Sequence, residues 1–557
     1  MLGRESVQRS FFDAALAVED LLEAGSFYEV LYRVGPRLLT DEDFYECYDT
    51  TTGRPSIPPS RMFKFLLLQC YEDLSDRKAI ERMAFDLRWK AVLGLEVQDR
   101  AVGQSTLVEF RARVQLHDKM EQAFGRFLSV LMEAGVITSD QVQLLDSTAI
   151  WGRGAVEDTY NLIGSAVRKL LGAASKRRGR KAVDLASELG LVMTAPSETG
   201  SLKGRAEIDW SDVEERRAFL NQLVGEARGL LSAMASDEST DPEVAEAMAL
   251  LRRILVQDLE VVGKPSDTQG PDGGDTGGDE TQSVLELDRE VELRQGVAQD
   301  RVVSVGDPEM RHGHKSRDRR WDGYKAHVSV EAEHGLITAV DVTAANVHDA
   351  AAAPELIAQQ RERGLAPEAM VGDMAYSAAD LRQWASEQGT EIVAQVPPVR
   401  GKDGCFAKDA FHLDLVEERV HCPAGQSTTH FTRQSGGGRV FHFDGAACAT
   451  CSLRTQCTSR DPEKMRRSGH GRSVRWHRLE SVLQAARAAE KTPRVQELLA
   501  QRWKVEQVIA HLTRRGIRQA RYLGTRKVGF QAVTAALVTN LVRWTGLFPH
   551  NPALQPA

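Results

Sequence analysis

Val142-Gln-Leu-Leu-Asp146 is a short apolar run that ends in an acidic residue. Ala369-Met-Val-Gly-Asp373 has the same pattern further along the chain. Short apolar runs of this kind are typical of buried strands, and we expect each strand to present its aspartate at its C-terminal end. The two runs predict a mixed α/β fold in which strands deliver carboxylates at their ends.

Two further strands are predicted between these aspartates. Apolar and polar residues alternate at 326–330, and β-branched residues are frequent at 336–342. Glu333-His-Gly335 lies between them and predicts the turn of a hairpin. Apolar residues recur at helical spacing in three long segments, which are therefore predicted to be mostly helical: residues 1–135, 156–258 and 478–545.

Composition limits the class of protein. The chain has 557 residues, too many for one ordinary domain, and 42% of them are hydrophobic. Lys and Arg number 71 against 79 Asp and Glu, a formal net charge of −8, which excludes a uniformly basic coat protein but not a local basic face. The chain has no run of about 18 apolar residues, so the sequence predicts no membrane helix. The N-terminal segment has no apolar signal-peptide core, so we expect a cytoplasmic protein.

A third acid, Glu506, lies in the helix predicted around Arg502-Trp-Lys-Val-Glu506 and is flanked by basic residues. Two carboxylates from neighbouring strands and one from a helix can hold two divalent ions about 4 Å apart, which activate a water or hydroxyl in phosphodiester chemistry. Oxygen ligands favour Mg²⁺, with Mn²⁺ as the alternative. Taken singly, each acid also fits a helix cap or a turn residue.

At these residues the chain resembles the DDE transposases of bacterial insertion sequences, those with a ribonuclease H-like catalytic core. Leu144-Leu-Asp-Ser-Thr148 is similar to the first catalytic strand of the family, and Arg320-Trp-Asp-Gly-Tyr-Lys-Ala-His327 to the core strand that follows. Val371-Gly-Asp-Met-Ala-Tyr376 resembles the motif of the second acid. Residues 53–111 resemble the helical N-terminal domain of the same transposases.

The C-terminal signature of this family has a Tyr, an Arg, a Glu and a Lys at fixed spacing. Arg502 and Glu506 keep the Arg-x3-Glu step, whereas Leu499 stands at the Tyr position. Thr513 stands at the Lys position, with Arg514 next to it. These departures leave open which side chain binds the phosphate near the glutamate.

The resemblance implies a DNA transposase that cleaves transposon ends and joins them to target DNA, with Asp146, Asp373 and Glu506 as catalytic ligands of two Mg²⁺ ions. DNA would be its partner, and bringing two ends together calls for a homo-oligomer. The implied organisation is a helical DNA-binding domain, residues 1–135, followed by a ribonuclease H-like catalytic domain, residues 140–545. The catalytic domain contains a helical insertion, 156–300, with an acidic linker at 264–282. It also contains a cysteine-rich module, 400–470.

Basic residues are concentrated around Glu506. Residues 502–527 hold eight Lys or Arg and one acid, more cations than one carboxylate can pair. A solvated helical face is the alternative to phosphate binding. In a second basic run, at 311–327, Trp321 and Tyr324 are expected either to stack on a displaced base or to pack in the core. The predicted DNA contacts are Tyr324, Lys325, Arg502, Arg514, Arg515, Arg518 and Arg521.

Sequence preference for the DNA ends would come mainly from the helices at 60–115. Their short lengths and tight turns resemble a helix-turn-helix unit or, alternatively, a plain helical bundle. Arg111, Arg113 and Lys119 are candidate contacts. The basic cluster Lys176-Arg-Arg-Gly-Arg-Lys181 is either a DNA contact or an exposed loop.

Four cysteines lie close together in a loop-rich segment: Cys422, Cys448, Cys451 and Cys457. Four thiolates can close a tetrahedral zinc site in a segment too loop-rich to form its own core, so a structural Zn²⁺ is predicted. A redox dithiol at the CxxC step and reduced cysteines without a role are the alternatives.

Two other functions remain open on the sequence. The same core could hydrolyse DNA without strand transfer, in which case a donor end and a target plasmid yield cut ends but no joined products. A catalytically inactive DNA-binding relative would bind the ends and show no metal-dependent cleavage.

Overall fold

A bundle of helices forms the first part of the chain, as predicted. The computed structural model describes residues 1–5, 10–18, 20, 22–49, 52–196, 201–238, 240–262, 289–316, 318–401 and 404–547. The linker predicted at 264–282 lies outside them. The bundle consists of α1 (Ala14–Val18), α2 (Phe27–Leu38), α3 (Pro59–Tyr71), α4 (Asp76–Phe85), α5 (Leu87–Leu93), α6 (Gln104–Leu116) and α7 (Lys119–Glu133).

Local sequence explains how α3 and α4 meet. Pro59 is the first residue of α3. Proline lacks a backbone N–H, but the N–H groups of the first helical turn have no partner within the helix, so no hydrogen bond is lost there. A connection of only four residues follows, and the Ser75 side chain accepts the Lys78 N–H to cap α4. Asp73 in this turn has a φ of 50°, the left-handed region that a tight turn needs.

A helical insertion follows β1 (Gln143–Trp151). Its apolar side chains form a core of their own, which includes Leu170, Leu223 and Leu251. The elements of the insertion are α8 (Thr159–Arg177), α9 (Ala182–Glu188), α10 (Val213–Glu238), α11 (Pro242–Asp258) and the antiparallel pair β2 (Leu259–Val261) and β3 (Val291–Leu293).

A mixed sheet continues from β1. Its further elements are β4 (Arg311–Ser316), β5 (Arg319–Glu331), β6 (Ile337–Ala344), α12 (Ala353–Glu362), β7 (Ala369–Val371), α13 (Ala379–Glu387) and β8 (Glu391–Val393). Within the described residues the strand order is β4–β5–β1–β7–β8, and β6 also pairs with β5. β5 is antiparallel to β1, β4 and β6, while β1, β7 and β8 are parallel. The mixed α/β class and the hairpin at 326–342 are confirmed.

The cysteine-rich segment forms small sheets and short helices. They are β9 (His412–Asp414), β10 (Arg419–His421), β11 (Ser427–Thr428), β12 (Phe431–Arg433), β13 (Arg439–Asp444), α14 (Gly445–Thr450), α15 (Arg454–Cys457), α16 (Pro462–Ser468) and β14 (His470–Trp476). The expectation that this segment cannot form a core is wrong, because Phe411, Phe441 and Trp476 pack together with three further buried side chains.

The described chain ends in four helices: α17 (Glu480–Ala489), α18 (Pro493–Ala500), α19 (Trp503–Arg514) and α20 (Thr525–Leu547). The N-terminal bundle, one face of the sheet and α20 share a single apolar core. The rings of Phe127 and Trp544 lie 5.2 Å apart in it. The Asn540 side chain bonds both the N–H and the carbonyl of Ile337, each at 2.8 Å, and so fixes α20 to β6. No described helix is long and apolar enough to span a membrane.

Candidate active site

Asp146 and Asp373 stand level with each other beside the point where β7 ends. The parallel register pairs Leu144 with Val371, and each aspartate follows two residues later. Asp146 lies within β1 rather than at its end, because β1 continues to pair with β5 as far as Trp151. Asp373 caps a turn by accepting the Ala375 N–H at 2.9 Å, so it combines a cap with a position beside Asp146.

Charges of both signs face Asp146. Burial raises the pKa of Asp146 to about 6, and the negative charge of Asp373 adds to the rise. The Ser147 N–H, which donates to Asp146 at 2.8 Å, acts in the opposite direction, as do the positive charges of Lys315 and Arg502. A half-buried carboxylate between another acid and two cations is a setting typical of functional sites. The sequence placed Lys315 in a basic run without linking it to an acid.

Tyr376 lies behind the acid pair. Its ring is fully buried, and its hydroxyl has no hydrogen-bond partner within the described ranges. Burial raises the pKa of Tyr376 well above its ordinary value, with further contributions from Asp349, Asp146 and Asp373. A buried hydroxyl without a partner is rare in proteins. Its place among carboxylates indicates that a water or an ion belongs there.

Glu506 lies on α19, which packs against β1. Val505, Val508 and Leu512 are the buried residues of this helix, whereas Glu506 is exposed. It follows Arg502 by one helical turn, and the charge of Arg502 reaches Asp146. In the part of the chain that the structure describes, no group of three His, Cys, Asp or Glu side chains stands in an arrangement that could hold a metal ion.

Two of the predicted DNA contacts are bound inside the protein. Arg515 donates to the Tyr71 carbonyl at 2.6 Å, with its guanidinium 4.6 Å from the Tyr71 ring centre. Arg521 donates to the Leu74 carbonyl at 2.9 Å and pairs with Asp73. These arginines hold the α3–α4 turn against the segment that follows α19.

Two other predicted contacts remain open to a ligand, and a third is partly buried. Arg514 and Arg518 are exposed, and neither makes an ion pair or a side-chain hydrogen bond with any described residue. Arg502 is partly buried, and its buried Nε has no hydrogen-bond partner among the residues described. Arg515 and Arg521 are therefore bound inside the protein, whereas Arg514 and Arg518 face solvent.

The base-stacking interpretation of Trp321 and Tyr324 is wrong, and their alternative, core packing, holds. Tyr324 is 0% exposed and donates its hydroxyl to Asp307 at 2.5 Å. Trp321 is also buried, and its ring N–H donates to the Tyr324 carbonyl. Lys325, expected to contact DNA, lies 2.6 Å from Asp349 in a largely buried ion pair. None of these side chains presents a free surface to DNA.

The candidate contacts of the N-terminal bundle are also engaged. Arg111 pairs with Asp76 at 2.8 Å, Lys119 pairs with Glu46 at 2.6 Å, and Arg113 lies over the Tyr48 ring. In the cluster at 176–181, four cations pair with nearby acids, which favours the exposed-loop interpretation. These pairs are Lys176–Glu243, Arg177–Asp241, Arg178–Asp237 and Arg180–Glu188.

The four clustered cysteines line one cavity of about 60 Å³. Burial raises the pKa values of Cys448 and Cys457, and repulsion from the neighbouring cysteines in their thiolate form adds to the rise. The Arg472 N–H donates to the Cys448 sulfur. Gly471 allows this approach, since a Cβ there would lie 2.5 Å from that sulfur. The four thiols thus come together, although not in a metal-ligating arrangement.

Two family models match the chain. One, described as "Transposase DDE domain", matches residues 295–541 and includes Asp373 and Glu506 but not Asp146. The other, described as "Transposase domain (DUF772)", matches residues 16–113. Together they cover more than half of the chain. The comparisons with curated proteins and with solved structures found no match.

Proposed function

This chain belongs to the DDE transposases of insertion sequences, and on that premise we propose that it cleaves the ends of its element and joins them to target DNA. A water is first activated to nick DNA at the end of the element. The freed 3′-hydroxyl then attacks a target phosphodiester in line. This route needs no covalent protein–DNA intermediate, and so requires no Ser or Tyr nucleophile.

The observation that carries the proposal is that Asp146 and Asp373 each follow the paired residues Leu144 and Val371 by two positions, and that the charge of Asp373 acts on Asp146. The strand order supports a ribonuclease H-like core. The antiparallel pair β5–β6 lies on one side of β1, with β4 also paired to β5, and the parallel strands β7 and β8 lie on the other. We place the boundary between an N-terminal domain, 1–135, and a catalytic domain, 140–545, where the helical bundle gives way to the first strand of the sheet.

We assign Asp146, Asp373 and Glu506 as the ligands of two Mg²⁺ ions, with Mn²⁺ as the alternative. When bound, such ions lower the pKa of a water or hydroxyl and stabilise the leaving oxygen. The donor set fits this group, because all three ligands offer oxygen. The partnerless Tyr376 hydroxyl supports it too. Glu506 is exposed, so packing does not prevent its side chain from turning toward the pair.

The protein's own cations position the DNA in this scheme. The Arg502 guanidinium binds a phosphate beside the acid pair, and Arg514 and Arg518 bind the backbone further along. Synapsis of two ends requires at least two copies of the chain, which sedimentation of the protein–DNA complex measures.

Asp373→Asn tests the metal assignment. The amide removes one negative ligand but keeps the cap geometry, so we expect strand cleavage to be lost while binding of the end persists. Asp380→Asn is the matched control, since Asp380 is an exposed acid on the next helix. Cleavage by the Asp373 variant would overturn the assignment. Joined products from a donor end and a target plasmid separate the transposase from a nuclease that only cuts.

We also propose that Cys422, Cys448, Cys451 and Cys457 hold a structural Zn²⁺, supported by their shared cavity. Metal analysis is expected to find one zinc per chain in the wild type and none in Cys448→Ser. Cys47→Ser, in the N-terminal bundle, is the control and retains the metal. A zinc-free protein whose fold survives chelation contradicts this proposal.

A further inference from the structure

β1 is paired on only one side where it carries Asp146. Its register with β7 covers Gln143 and Leu144, and a bridge to the segment after α19 holds it again at Trp151. Between these points, β5 is the only strand that pairs with β1 in the described chain. β7 itself ends two residues before Asp373. Strand pairing therefore does not by itself fix the separation between the two aspartates, and other contacts set it.

Asp349 holds β1 and β5 from the reverse face of the sheet. Its Oδ2 accepts a hydrogen bond from the Ser147 hydroxyl at 2.9 Å, and its Oδ1 accepts one from the Lys325 ammonium at 2.6 Å. Ser147 lies on β1 and Lys325 on β5. Neighbouring residues of a strand point to opposite faces, so these contacts lie behind Asp146. The Ser147 N–H donates to the Asp146 carboxylate at 2.8 Å, which connects the two faces.

The turn that begins with Asp349 also lies against the turn that follows Asp373. These turns are Asp349–Ala351 and Met374–Tyr376, and they are in contact. Burial is the main cause of the raised pKa of Tyr376, and among the carboxylates that add to it Asp349 comes first. Asp349 is thus connected to β1 by its side chain and to the turn of Asp373 by its position.

The Asp349 carboxyl is ionised in the folded protein. Burial by itself would raise the pKa of Asp349, but the hydrogen bond and the positive charge of Lys325 outweigh burial and hold the pKa below its ordinary value. The Ser147 hydroxyl acts in the same direction. Hydrogen bonds to an ionised carboxylate are shorter and stronger than those between neutral groups, so this charge makes Asp349 a firm attachment point for both strands.

We propose that Asp349 is a positioning residue that fixes the separation between Asp146 and Asp373. It acts on the first aspartate through Ser147 and on the second through its own turn, while Lys325 holds the Asp349 carboxylate in place. The inference rests on the proposed function, because it gives a purpose to the spacing of that acid pair. Removing a group that orients metal ligands from behind typically lowers metal affinity or activity about 10- to 100-fold.

Binding of Mn²⁺ to the full chain without DNA tests the inference by a readout other than activity. Asp349→Ala and Ser147→Ala are expected to weaken Mn²⁺ binding about 10- to 100-fold, as measured by electron paramagnetic resonance of the free ion. Ser147→Thr keeps the hydroxyl and recovers most of the affinity. Glu121→Ala is the matched control, because Glu121 pairs with the largely buried Arg363 at 2.7 Å, at the other end of α12.

Cleavage of duplexes that carry the DNA flanking the coding region extends the comparison to the reaction. At saturating DNA, Asp349→Ala is expected to nick about 10- to 100-fold more slowly. Its affinity for the DNA end stays within about two-fold of wild type, because Asp349 does not contact DNA in this scheme. Ser147→Thr recovers most of the rate that Ser147→Ala loses, and Glu121→Ala cleaves as the wild type does.

Amide hydrogen exchange tests the inference with neither metal nor DNA. Asp349→Ala is expected to speed exchange at residues 145–150 of β1 and at 372–377, whereas Glu121→Ala leaves both segments unchanged. Melting curves check that each variant folds, and Ser147→Ala, which loses a single hydroxyl, replaces Asp349→Ala if that variant does not.

Three results overturn the inference: wild-type exchange in both segments of Asp349→Ala, wild-type Mn²⁺ affinity in that variant, or an equal loss of affinity in Glu121→Ala. A wild-type protein that neither binds Mn²⁺ nor cleaves DNA contradicts the proposed function instead. Exchange in the two segments then still decides whether Asp349 holds them in place.

Discussion

The Tyr324 hydroxyl donates to Oδ1 of Asp307, and the Gly524 N–H donates to the same oxygen at 3.1 Å. Both side chains are fully buried, and Oδ2 of Asp307 has no partner among the described residues. Burial raises the pKa of Asp307, and these hydrogen bonds oppose the rise. The tyrosine therefore stabilises a carboxyl group inside the protein and links β5 to the segment before α20.

Tyr324→Phe removes this hydrogen bond without changing the ring. We expect the free energy of unfolding to fall by about 1–3 kcal/mol, because a buried carboxyl loses a donor, while affinity for single-stranded DNA is unchanged. Denaturant unfolding and fluorescence anisotropy measure the two quantities. The exposed Tyr45, changed to Phe, is the control. Loss of DNA affinity with intact stability would restore the stacking role.

At the scale of elements, the segment between α19 and α20 combines two kinds of arginine. Arg515 and Arg521 attach it to the α3–α4 turn, whereas Arg518 is exposed. The backbone carbonyl of Arg518 accepts the Trp151 N–H at 2.8 Å, which fixes its position beside β1. The segment is thus held at both ends and beside β1, while the Arg518 side chain faces solvent.

Arg518→Ala and Arg521→Ala are expected to have opposite effects. The first lowers the slope of log affinity against log salt by about 1, since one phosphate contact is lost, and leaves unfolding unchanged. The second leaves the slope unchanged and destabilises the fold by about 1–3 kcal/mol, since the Leu74 carbonyl and Asp73 lose their donor. Salt titrations and denaturant unfolding distinguish them. A reduced slope for Arg521→Ala would contradict the internal role.

Sequence periodicity predicted helices and strands better than it predicted which residues contact each other. The alternation at 326–330 and the helical spacing around Glu506 were sufficient to predict β5 and α19. The apolar run before Asp146 was not sufficient to predict where β1 ends, because the strand continues with polar residues that pair with β5. The partners of Arg515 and Arg521 were not predictable, since they lie more than 440 residues away along the chain. The core around Phe441 is scattered over several short strands.

At the scale of the whole molecule, ion pairs inside the N-terminal bundle make stability depend on pH. Asp76 accepts from both Arg111 and Gln69. Burial by itself would raise the pKa of Asp76, but these hydrogen bonds outweigh it and hold the pKa below the ordinary 3.8. A lowered pKa in the folded state stabilises the protein above the unfolded value, and this contribution is lost as the pH falls through the folded value.

Asp76→Asn is therefore expected to unfold at lower denaturant concentration than the wild type at pH 7. The difference, about 1.5–3 kcal/mol for a hydrogen-bonded charge, decreases once the pH falls below 3.8. Denaturant unfolding between pH 7 and pH 3 measures it. Asp184→Asn, at an exposed position on α9, is expected to show no such gap. A constant difference across this range would contradict the assignment.

The independent core of the helical insertion has a consequence for how the chain folds. β1 and β5 are neighbours in the sheet, yet the insertion separates them along the chain. Closing a long flexible loop costs conformational entropy and slows folding. Because α8 to α11 pack around their own apolar residues, they can become compact before β5 pairs with β1. The insertion is then already folded when β5 meets β1. Because most of its residues are ordered by that stage, pairing of the two strands costs only the conformational entropy of closing a much shorter loop.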